Sequence, residues 1–156
     1  MKSPVIQKEN NDPDEFIAFH VGDQTYCIDI MAVREIRGWT PATPLPHAPH
    51  FVRGVINLRG AVLPVIDLAA RLGLPMKEPT ARHAVIVVQN ETQVVGLLVE
   101  AVSNIITIAP DAIQPTPEVA SELSRSFIKG IVAAEKEVIS VLVVKHILPE
   151  SLPCAA

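Results

Sequence analysis

The sequence predicts an all-β protein: two similar small five-stranded barrels packed together, with only short helical turns. Three observations point there. Val and Ile supply 36 of the 156 residues while aromatics make up 4%, so the core is built from β-branched aliphatics that suit a pleated surface. Most of the 14 prolines fall in connecting stretches rather than inside the apolar runs, which leaves those runs free to pair. One order of elements is also written twice along the chain.

The elements follow in order. Residues 1–14 are polar, hold Pro4 and Pro13, and read as a loose tail before a domain over 15–152. Phe16 to Val21 is an apolar run closed by a turn at Gly22-Asp23. Gln24 to Ile30 alternates, with Tyr26, Ile28 and Ile30 on one face and Thr25, Cys27 and Asp29 on the other. The two runs make a hairpin. Asp29 is placed to cap one helical turn, after which the chain runs through Val33 to Gly38. Pro41, Pro44, Pro46 and Pro49 then exclude any regular element over 40–50. Phe51 to Leu58 and Ala61 to Leu68 read as two strands joined at Arg59-Gly60, and Pro64, which lacks an amide donor, places its segment at an edge or bulge. Asp67 caps a short helix that ends at Gly73.

The second half repeats the order. His83 to Gln89 and Gln93 to Val99 form a hairpin that continues through Glu100 to Ile108. A proline-marked stretch follows (Pro110, Pro115, Pro117), with a helix over Glu118–Arg125. Phe127 to Val132 and Val138 to Val144 are the last strands. Sliding residues 51–72 by 76 positions sets Phe51, Gly54, Val62, Val65 and Leu72 on Phe127, Gly130, Val138, Val141 and Leu148, and Arg53 on Lys129. Sliding 16–36 by 69 positions sets Ile17, Gln24, Ala32, Val33 and Ile36 on Ile86, Gln93, Ala101, Val102 and Ile105. We therefore expect an internal duplication with repeats at about 16–72 and 85–148. Each half holds about five strands, too little core to stand alone comfortably. The expected product is one unit of two lobes with a groove between them.

Composition narrows the function. The net charge is −4 with no basic face, which argues against a partner tracked by its phosphates. No apolar run approaches the ~18 residues of a membrane span, and the first residues lack the apolar core of a signal peptide. Cys27 and Cys154 make no disulfide framework, as in a reduced cytosolic protein. No phosphate loop and no Gly-x-Ser-x-Gly elbow occur. His47 and His50 stand three apart in the proline loop with no Cys or carboxylate beside them, so they read as surface residues and no metal is expected. Cys27 reads as a small buried hydrophobe rather than a nucleophile, and Asp67 as a cap rather than a catalytic acid. A binding module is the expectation, with exposed aliphatics rimmed by charge as its surface. Val33, Glu35, Ile36 and Arg37 mix the two. Arg59, at a hairpin tip, either projects for a partner, lies solvated, or pairs within the chain.

The segments Glu15-Phe16-Ile17-Ala18-Phe19, Tyr26-Cys27-Ile28-Asp29-Ile30 and Val33-Arg34-Glu35-Ile36-Arg37-Gly38 resemble the opening of the CheW family of bacterial chemotaxis coupling proteins. Asn57-Leu58-Arg59-Gly60 through Val65-Ile66-Asp67-Leu68 looks like that family's most diagnostic block, and Phe127-Ile128-Lys129-Gly130 matches a later landmark. The resemblance implies two five-stranded SH3-like barrels. It implies a non-catalytic cytoplasmic adaptor, without cofactor, that couples methyl-accepting chemotaxis receptors to the histidine kinase CheA in arrays at the membrane's inner face. It sets the receptor's helical tip in the groove between lobes, and Val33, Glu35, Ile36, Arg59, Val102 and Ile105 match positions tied to that coupling. It assigns no residue to the kinase contact. A related scaffold in another kinase circuit, for surface motility or biofilm control, stays open, as does a small enzyme using Asp67 or the loop histidines.

Overall fold

A computed structural model describes residues 14–90, 93–116, 126–134 and 137–149. Apart from Asp14, the expected tail lies outside the described residues, as does the helix expected over Glu118–Arg125. The strands are β1 (Asp14–Val21), β2 (Gln24–Asp29), β3 (Val33–Gly38), β4 (Val52–Leu58), β5 (Ala61–Asp67), β6 (Ala84–Gln89), β7 (Val94–Val99), β8 (Ala101–Ile108), β9 (Ile128–Ala133) and β10 (Val138–Leu142). Two single helical turns, α1 (Leu68–Arg71) and α2 (Val144–Ile147), follow β5 and β10. Where one strand was expected to reach Val144, the chain leaves the sheet at Leu142 and turns.

Two five-stranded sheets form, as expected. The first runs β8-β1-β2-β10-β9 and the second β3-β6-β7-β5-β4. If strands are counted one to five within each half, both sheets read 3-1-2-5-4. The sheets are not the sequence halves, however, and here the reading of one barrel per half is corrected. Hairpin β1–β2 sits with β8, β9 and β10, and hairpin β6–β7 with β3, β4 and β5. Connection lengths explain the exchange. To lie beside β1 in the orientation β8 takes, β3 would first have to travel back along β2, roughly 20 Å for six residues. The three residues of the 3-10 turn Ile30–Ala32 span only about 6 Å. Between β7 and β8 stands Glu100 alone. Each third strand therefore passes straight on to the other sheet.

The exchange accounts for the unbroken apolar run at Phe16–Phe19. Ile17, Phe19 and Val21 enter the largest core cluster, which also takes Ile86, Val88, Leu97 and Val99 from the second sheet. Phe16 and Ala18 point the other way, into a cluster with Cys27, Ile108, Ile139 and Val141. Val85, Val87 and Leu98 do the same in the second sheet, with Ile56, Leu63 and Val65. The central hairpins are thus buried on both faces: one lines its own lobe, the other the seam between lobes. Arg71 spans that seam. Its guanidinium carbon lies 4.5 Å from the Phe51 ring centre and 4.9 Å from that of Phe127, and its Nε donates to the Ile147 carbonyl at 2.7 Å.

Two glycines and one proline show how tightly the lobes close. The loop after β3 crosses β4, and the Thr43 and Val55 amides and carbonyls exchange bonds of 2.8 Å. A Cβ on Gly54 would stand 2.2 Å from the Thr43 oxygen. Gln114 crosses β9 in the same way, and a Cβ on Gly130 would meet its oxygen at 2.4 Å. The repeated Phe-x-basic-Gly pattern therefore marks where a strap passes over an outer strand. Pro64 departs from expectation, because β5 lies inside the second sheet, between β7 and β4. The strand tolerates it because the β5–β7 ladder begins only at Val65.

Cys27 is fully buried, and burial pushes its thiol pKa up to about 12. A Cys154→Ser variant is expected to give no reaction with an aromatic disulfide reagent at pH 8 while folded, and one equivalent once unfolded in guanidinium. Rapid labelling of the native variant would contradict this packing.

Candidate functional site

An exposed charged feature is built by a tight turn. Leu58 pairs with Ala61, leaving Arg59 and Gly60 as a two-residue hairpin loop. Both take positive φ, 52° and 88°, as the twist-matched turn of such hairpins requires. Asn57 Oδ1 accepts the Gly60 N–H at 2.9 Å and holds the turn. A left-handed conformation is uncommon for arginine, and here it aims the side chain off the β4–β5 end.

Arg59 meets Glu35 of β3. Its Nη2 donates to Glu35 Oε1 and its Nη1 reaches Oε2 at 3.4 Å. Arg37 lies 3.6 Å from the same carboxylate. Since β3 and β4 are opposite edges of the second sheet, this pair bridges the two edges of a sheet curled onto itself. The Arg59 hydrogen bond, helped by the Arg37 charge, holds the Glu35 carboxyl below the usual carboxylate range. The same bond raises the Arg59 pKa. Beside the pair is a hollow of about 310 Å³, lined by Arg34, Leu58, Val62 and Val94 among others. Val62 is 44% exposed. Charged donors over an apolar floor suit a protein partner better than a small polar substrate.

The six residues expected to bind partners fall in three places. Glu35 and Arg59 are joined. Val33 on β3 and Val102 on β8 are partly buried and pack on one and the same inter-lobe core. Ile36 and Ile105 are exposed on edge strands β3 and β8. Ile36 stands on the face of β3 opposite Glu35, as strand alternation demands, so those two neighbours address different surroundings. Arg37, singled out with Glu35 for its mix of charge and aliphatics, does join the pair, whereas Val62 was not foreseen as a site residue. The signal for Val62 was its position two residues after the Arg59-Gly60 turn.

The features that invited an enzymatic reading are bound up in structure. Asp67 Oδ2 accepts from Arg53 Nε at 2.9 Å, and its Oδ1 caps α1 at the Ala70 N–H, 3.3 Å away. A hollow of about 770 Å³ is lined by His20, Lys77, His83 and Glu100 among others. Glu100 and His83 are engaged there. Glu100 accepts the Gly22 N–H at 2.6 Å and faces Lys77 at 3.5 Å. His83 Nδ1 accepts the Thr80 N–H at 2.9 Å, and burial lowers its pKa. Among the described residues no group of three His, Cys, Asp or Glu is placed to hold a metal ion.

Comparison with known proteins decides the family. The CheW-like domain model matches residues 15–151. The chemotaxis protein CheW of Rhizobium meliloti is 58% identical over 135 residues, covering 86% of this chain and 87% of that protein. The chain belongs to the CheW family. A second CheW relative, the probable chemotaxis protein CheW of Rhizobium etli, is 54% identical over 149 residues and covers 96% of each chain. The crystal structure of the CheW scaffolding protein of Thermoanaerobacter tengcongensis matches with a TM-score of 0.77 at 31% identity, covering 85% of this chain and 90% of that one. No helix among the described residues is long and apolar enough to cross a membrane.

Proposed function

We propose that this CheW-family chain is a non-catalytic chemotaxis adaptor that couples methyl-accepting receptors to the histidine kinase CheA, held at the membrane through those receptors. The observation that carries the reading is a CheW-like domain over residues 15–151 whose diagnostic arginine, Arg59, stands exposed on a fixed turn beside a hollow floored by Leu58, Val62 and Val94. Its geometry is that of a holder: rigid strands, charge at the rim, aliphatics beneath. Each contact is modest alone and gains strength when many copies are arrayed. Co-sedimentation tests it. With membranes bearing a receptor fragment, the chain pellets and carries CheA with it. If CheA pellets equally well without the chain, the coupling role is wrong.

A further inference from the structure

The two sheets offer an internal comparison at the ends of β5 and β10. The offset of 76 sets Arg53, Asp67 and Leu68 on Lys129, Val143 and Val144. The backbone obeys the same offset. The Asp67 N–H donates to the Phe51 carbonyl at 2.7 Å, the Val143 N–H donates to the Phe127 carbonyl at 2.9 Å, and one helical turn follows each.

What fills the two places differs. At the first, the buried Asp67 carboxylate takes the Arg53 guanidinium and the first free amide of α1. Arg53 also donates to the Lys77 carbonyl at 2.7 Å, and only about 10 Å³ of space remains. At the second, an aliphatic side chain stands where the carboxylate would be, and α2 has no side-chain cap. A cavity of about 280 Å³ opens there. Its floor is apolar, made by the buried Phe16, Val141, Leu142 and Val144. Lys129 and Lys145 line its rim, both exposed. One carboxylate, Asp29, also borders it, but its Oδ1 accepts the Met31 N–H at 2.9 Å. Among the described residues, two lysines and one carboxylate thus line the cavity. Among the described residues no carboxylate pairs with either lysine.

We propose that this cavity docks an acidic side chain carried on an apolar segment of a partner protein. The partner's carboxylate sits in the cavity beside Val143, between Lys129 and Lys145, and answers the lysines as Asp67 answers Arg53, while its flanking aliphatic residue covers the Phe16–Leu142 floor. A carboxylate on an ammonium makes a charge-assisted hydrogen bond, while the apolar floor rewards a segment over a free ion. The inference goes beyond the adaptor reading and stands on the internal comparison alone, so its test needs neither receptor nor kinase.

The probe is the blocked peptide acetyl-Ile-Asp-Leu-Ala-amide, this chain's own filling of the first place, titrated into the isotope-labelled full chain and followed by amide NMR. The expected result is a saturable shift at residues 129 and 143–145, with Kd on the order of 1–10 mM. The Asn version of the peptide binds at least about fivefold more weakly, and Lys129→Met weakens the Asp peptide by a similar factor. Val143→Asp brings the missing carboxylate into the chain itself and abolishes the response. Equal shifts from the Asp and Asn peptides overturn the proposal. So does an unchanged response in Lys129→Met, which folds whether or not Val143→Asp does. Saturation by sodium acetate at the same residues and the same strength would reduce the site to one for small anions and also overturn it.

Discussion

Arg59→Ala is expected to leave the chain folded and to remove at least about tenfold of receptor-dependent control of CheA. The two halves of that expectation have different physical grounds. The Arg59 side chain is 68% exposed, and an exposed pair contributes little to folding because water and salt screen it. The turn does not need the side chain either, since Gly60 and Asn57 hold its shape. The melting temperature should therefore stay within roughly 3 °C of the parent. Binding is another matter, because a planar guanidinium fixed by a bidentate partner loses little freedom when it docks. Glu35→Gln should weaken coupling less than Arg59→Ala, since it loosens the arginine without removing it. Kinase phosphorylation measured with receptor membranes, beside thermal unfolding of the same preparations, checks both halves. Full coupling by Arg59→Ala would end the role given to it, and a large loss of melting temperature would turn it into a folding residue.

Much of this site was legible in the chain, and the reason is local. The Arg59-Gly60 turn follows from two apolar runs two residues apart, and the Asp29 and Asp67 caps from acids placed just before helical turns. The strand runs and both proline loops were legible for the same reason: each depends on residues within a few positions. The partner of Arg59 was not. Glu35 lies 24 residues away and meets it only because the second sheet curls its two edges together. The exchange of hairpins was hidden for a related reason. Two similar halves present similar pairing surfaces, so pattern alone cannot say which hairpin joins which outer strands. The deciding facts were present but unused: three residues between β2 and β3, and one between β7 and β8. Pro64 misled because its missing donor was read as a property of the whole strand, when it matters only along one ladder.

Asp67→Ala is expected to be among the most destabilising changes in the protein, at about 4 kcal/mol, or roughly 8–16 °C of melting temperature for a domain of this size. Asp67 is 4% exposed and answers two donors at once, the Arg53 guanidinium and the Ala70 amide. Removing it strands a half-buried cation and uncaps α1, a penalty beyond the net worth of the pair itself. Arg53→Met should be damaging for the mirror reason, since it leaves the carboxylate buried without its cation. The double variant Arg53→Met with Asp67→Val should be milder than the sum of the singles, by about 2 kcal/mol, because nothing charged is then left behind. The matching place in the other lobe holds Lys129 and Val143 without an internal carboxylate, and there the cation is exposed to water rather than stranded. Urea unfolding at constant m-value reads the three variants directly. If the losses simply add, Arg53 and Asp67 are not energetically coupled, and the carboxylate must be held for some reason other than the ion pair. Coupled losses with receptor binding intact would assign Asp67 to holding the fold rather than to the receptor contact.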